Sequence, residues 1–138
     1  MHNHLAAVIL RGDGRPVVDW APLRKRRDVL FLETEPDPTG LIDALVRQMG
    51  FAIDYIVLEK LGGHAAFIEF LERMPAVCES DVAFVDATGG GLISSRRRGR
   101  RSLQGLTPGQ MRAWITMQLP ETDTYVPAES PLGVAEAA

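Results

Sequence analysis

The chain has 138 residues, 46% hydrophobic and 24% charged, a balance that fits one globular domain and excludes a disordered polymer. Its longest uncharged apolar stretch near the start, Leu5 to Leu10, is too short for a membrane span or a signal-peptide core, so a cytoplasmic protein with no membrane partner is expected. Cys78 is the sole cysteine, which excludes an intrachain disulfide and any cysteine-based metal cluster.

The net charge of −3 hides a segregation. Arg11, Arg15, Arg24, Lys25, Arg26 and Arg27 form one basic run, and Arg96, Arg97, Arg98, Arg100 and Arg101 form another. Together they hold 11 of the 15 basic residues and share only Asp13 and Asp19 among the acidic ones. Elsewhere, four basic residues face 16 acidic ones. Segregation of this kind shapes partners more than fold.

In chain order, Leu5-Ala-Ala-Val-Ile-Leu10 reads as a strand. The turn signal Arg11-Gly-Asp-Gly-Arg15 then suggests a hairpin returning through Pro16 to Trp20. Asp28 to Glu33 is a charge-bounded apolar run, the mark of a strand covered on both faces. Leu41, Leu45, Val46 and Met49 share one face of a helix over 38–49, with Pro38 in its first turn and Gly50 after its last. Residues 52–58 return to strand character, and 64–74 form a second amphipathic helix that Pro75 stops.

Asp81 to Asp86 is a further buried strand, followed by a turn over Thr88 to Gly91 and a short returning arm, Leu92 to Ser95. Thr107-Pro-Gly-Gln110 spells a capping box around a first-turn proline and opens the last helix, which Pro120 ends. The expected fold is therefore α/β or α+β: about five strands with short hairpins at each end and three helices packed on them. It spans 1–120, with 121–138 as a loose acidic tail.

The order strand–helix–strand makes strands 28–33, 52–58 and 81–86 parallel. The hairpin after Asp86 then returns Arg96 to Arg101 to the edge where Arg24 to Arg27 enter, so the two basic runs are expected to meet. Arginine forks bind carboxylates and phosphates, and the expectation is a non-enzymatic regulatory module that docks an acidic protein through Arg24, Lys25, Arg26, Arg27, Arg96, Arg97, Arg98, Arg100 and Arg101. Nucleic-acid binding by residues 96–101 is an alternative, opposed by the net acidity and by the lack of aromatic residues in the run.

A third reading starts from the opposite edge. Glu33, Glu35, Asp37 and Asp86 lie at or just past strand ends, where converging carboxylates hold Mg²⁺ for phosphoryl chemistry. The run Val29 to Asp37, with Asp86, resembles the acidic pocket of response-regulator receiver domains. It lacks the later strand pair that brings a hydroxyl and a lysine to that pocket, so the likeness stops at the carboxylates.

The remaining motifs point to no cofactor. Gly89-Gly-Gly91 opens no helix and precedes no Walker lysine, and His2, His4 and His64 make no zinc spacing. Ser94, Ser95 and Ser102 have no histidine nearby for nucleophilic catalysis. Val17, Val18 and Trp20, on the edge of the first hairpin, suggest pairing with a second copy.

Overall fold

Leu5 to Leu10 offers six consecutive apolar side chains, so a strand built from it must be covered on both faces. In the structure, a computed structural model describing residues 3–11, 18–33, 38–59, 63–73, 80–86, 89–96 and 99–121, all six are at most 3% exposed. They belong to β1 (Asn3–Arg11), which lies inside a six-stranded sheet of order β2-β1-β3-β4-β5-β6. β1 runs parallel to β2 (Val29–Glu33) and to β3 (Phe51–Glu59), and β3 runs parallel to β4 (Asp81–Asp86). β5 (Gly91–Arg96) and β6 (Gly99–Leu103) then turn back and forth antiparallel.

The mixed class stands, and the start of the chain is corrected. Val18 and Trp20 form no returning hairpin arm; both are 1% exposed and pack on the sheet face beside β1. The reason is the apolar content of β1, which is stabilised more in the centre of a sheet than at an edge. The expected pairing edge at these residues is thereby absent, since a strand edge must expose its backbone. Val17 lies outside the described residues, as do His2, Glu35, Asp37, Cys78, Arg97, Arg98 and the segment 122–138.

Helices cover both faces. α1 (Ala21–Arg24) and α4 (Pro108–Met117) place Leu23, Met111 and Ile115 against Ala7, Ile9, Tyr55, Val57, Val85 and Leu92. On the other face, α2 (Pro38–Asp43), its wider π-helical continuation Ala44–Gln48, and α3 (Gly63–Arg73) place Ile42, Leu45 and Phe70 against Val8, Leu10, Ile56, Leu58 and Phe84. Gly50 takes φ +75° just past the π turn, the left-handed position for which a glycine suits the helix end. The capping box forms as its spelling implies. Gln110 N–H donates to Thr107 Oγ1 at 3.1 Å, and Thr107 N–H donates to Gln110 Oε1 at 2.9 Å.

Gly90, also at φ +75°, joins β4 to β5, and its carbonyl accepts from Leu106 N–H at 3.0 Å. A Cβ there would sit 3.3 Å from the Leu106 carbonyl oxygen, so the turn and the entry to α4 are fitted to a glycine. No helix among the described residues is long and apolar enough to cross a membrane.

Candidate functional site

The strand order decides where the basic runs go. Both come to the edge at which the parallel strands begin. Lys25 to Arg27 lead into β2 at one end of the sheet, with Arg24 just before them reaching over Phe31 in the middle of β2, while Arg96 ends β5 and Gly99 to Arg101 open β6 at the other. Five strand spacings separate β2 from β6, roughly 24 Å at the usual 4.8 Å each. The expected meeting of the two runs is corrected on this ground: they share an edge and not a surface.

Their chemistry differs as well. Arg26 closes on Asp28, with Nε donating to Oδ1 at 2.8 Å and Nη2 to Oδ2 at 2.6 Å, and its Nη1 reaches the Pro120 carbonyl at 2.8 Å. Asp28 is fully buried, so this arginine neutralises an internal charge and ties the end of α4 to β2. Arg24 lays its guanidinium 4.5 Å from the centre of the Phe31 ring. Lys25 and Arg27 are exposed on the turn before β2.

Arg100 and Arg101, by contrast, are exposed on β6, the last strand of the sheet. Register places Arg101 opposite Ser94 and Arg100 opposite Ser95, so the two guanidinium groups leave from opposite faces of one strand. Ser94 itself is buried, with its Oγ 3.0 Å from the Tyr55 hydroxyl, which makes it part of the core. Beyond β6 no further strand pairs among the described residues, and its outer edge carries backbone N–H and C=O groups on offer to another chain.

The opposite edge holds a feature the sequence did not announce. β2, β1 and β3 end in register on Glu33, Arg11 and Glu59, a carboxylate–guanidinium–carboxylate row across three adjacent strands. Glu59 is 1% exposed and accepts three hydrogen bonds. Its Oε1 accepts from Arg11 Nε and from Trp20 Nε1, each at 2.7 Å, and its Oε2 accepts from Val18 N–H at 3.1 Å. Arg11 Nη2 returns a bond to the Val18 carbonyl. This network clamps the segment that follows β1 onto the sheet, and burial turns Glu59 to this internal role.

Glu33 stays apart. Its Oε1 is 3.8 Å from Arg11 Nη1, beyond hydrogen-bond reach, and its side chain is exposed. Arg11, Arg24, Phe31, Glu33, Trp20 and Asp19 line an open pocket of about 430 Å³. The pocket lies beside the carboxyl ends of β1 and β2, next to the point where successive connections leave for opposite faces, the place where open parallel sheets take up ligands.

The magnesium arrangement does not assemble from Glu33 and Asp86. They end β2 and β4 with two strands between them, roughly 14 Å apart at ordinary spacing. Asp86 Oδ1 instead accepts from Gly89 N–H at 3.1 Å and closes the turn into β5. No group of three or more histidine, cysteine, aspartate or glutamate side chains capable of holding a metal occurs among the described residues. Compared with known proteins, the chain matches no family model, no curated protein and no solved structure.

Proposed function

We propose that this domain is a non-enzymatic docking module that takes an extended acidic segment of a partner protein alongside β6. The carrying observation is that Arg100 and Arg101 stand exposed on opposite faces of the outermost strand. Strand addition supplies main-chain hydrogen bonds, and the two guanidinium groups select carboxylates on either side of the added strand. The same charges repel the β6 edge of a second copy, which keeps an open edge from pairing with itself. Of the first basic run, Arg26 is engaged internally, Arg24 rests on Phe31, and the exposed Lys25 and Arg27 lie at the far end of the sheet from β6, so the docking surface is drawn at Arg100 and Arg101.

The test is a fluorescence-anisotropy titration with a short extended peptide whose paired consecutive glutamates, flanked by valine and threonine, present carboxylates to both faces of the added strand. Binding should weaken as salt rises from 50 to 500 mM, in steps of about those concentrations, because exposed charges are screened within about 10 Å at 0.1 M. Replacing both Arg100 and Arg101 by alanine should weaken binding about two- to thirtyfold, from about 0.2–1 kcal/mol per exposed pair. A random duplex or single-stranded nucleic acid that binds through the same two residues more tightly than the peptide would overturn the choice of partner.

A further inference from the structure

The pocket at the far edge of the sheet has no part in strand addition at β6, and its chemistry is of another kind. Two cations and two anions line it, Arg11 and Arg24 against Asp19 and Glu33. Both guanidinium carbons lie within 5.1 Å of the Phe31 ring centre. Arg11 is held rigid by Glu59 and by the Val18 carbonyl, and it turns its Nη1 toward the side of Glu33. Glu33 is a carboxylate with no short partner among the described residues, a ready acceptor for donors at the rim.

We propose that this pocket binds a small phosphorylated sugar, its phosphate on Arg24 and Arg11 Nη1 and its hydroxyl groups donating to Glu33. With Arg11 Nε and Nη2 already engaged, a phosphate meets the Arg24 guanidinium and the remaining Nη1 of Arg11, and a dianion is held by two such cations more firmly than a single carboxylate is. Hydroxyl donors suit an exposed carboxylate without adding a charge to be desolvated. The volume of about 430 Å³ accommodates such a molecule with bridging water.

Isothermal titration with ribose 5-phosphate tests this, with inorganic phosphate, free ribose and an amino acid as comparison ligands. Saturable one-to-one binding of ribose 5-phosphate, tighter than that of inorganic phosphate or ribose, is expected. Arg24→Gln should weaken it about tenfold or more, since hydrogen bonds to charged groups are among the stronger ones. Glu33→Gln should reduce the preference for ribose 5-phosphate over phosphate, and Arg100→Ala should leave both affinities unchanged. Arg24 is exposed and Glu33 makes no short bond, so both variants fold, and a melting curve confirms it. Absence of saturable binding, affinity unchanged in Arg24→Gln, equal affinity for inorganic phosphate, or tighter binding of the amino acid would each overturn the proposal.

Discussion

Replacing Glu59 by glutamine keeps the shape of the side chain and removes its charge. The carboxylate accepts three bonds, from Arg11 Nε, Trp20 Nε1 and Val18 N–H, at 2.7, 2.7 and 3.1 Å. A glutamine oxygen at the Oε1 position preserves the first two, and its amide then points N–H groups at the Val18 N–H. The reverse orientation loses two hydrogen bonds instead of one. In either case Arg11, 9% exposed, keeps its positive charge with only Glu33 nearby, at 3.8 Å. Breaking one side of a buried pair costs about 3–5 kcal/mol, a large share of the roughly 5–15 kcal/mol that holds a domain together. The melting temperature should fall by about 12–20 °C, taking about 4 °C per kcal/mol for a domain between the small and large size classes. Urea unfolding reads the loss directly, provided the slope is unchanged. Glu33→Gln, at the exposed end of the same row, should change stability by no more than about 0.5 kcal/mol. Equal effects of the two substitutions, or a loss below about 1 kcal/mol for Glu59→Gln, would show that the row is not a buried clamp.

Arg26→Ala should destabilise by about 3 kcal/mol because buried Asp28 loses its two-pronged partner, whereas Lys25→Ala next to it should stay within about 0.5 kcal/mol; both are read by urea unfolding. Thr107→Ala should cost about 1 kcal/mol by removing the cap of α4, with a matching fall in melting temperature. Millimolar Mg²⁺ should leave the melting temperature unchanged, since Glu33 and Asp86 end strands that are not neighbours and a ligand of the folded state would raise it.

Much of the fold was legible because burial on two faces leaves a plain mark. The run Val29-Leu-Phe-Leu32, the alternation after Phe51 and the run Val82 to Val85 all became parallel strands, and Thr107 and Gln110 capped the helix they spell. Leu5 to Leu10 carried the same mark, and the glycines after Arg11 drew the reading toward a hairpin instead. Covering on both faces was the stronger signal. β6 was hidden for the opposite reason: Gly99-Arg-Arg-Ser-Leu103 has little to bury, and an outermost strand is held by its ladder and not by its side chains. Glu59 escaped notice because a charged residue closing a strand reads as a solvated end. Its signals were indirect, a tryptophan whose indole N–H needs an acceptor and an arginine at the end of a fully apolar strand. The two basic runs were placed together because chain direction fixes which edge a segment reaches, whereas only strand order fixes how far along that edge it lies.

Hydrogen exchange at the backbone amides of 99–103, measured with and without a saturating acidic peptide, addresses the docking account at its root. An added strand engages the outward N–H groups of β6, so those amides should slow while the amides of β2, at the other end of the sheet, keep their rates. A bound peptide that leaves β6 exchange unaltered, or that protects β2 instead, would contradict it.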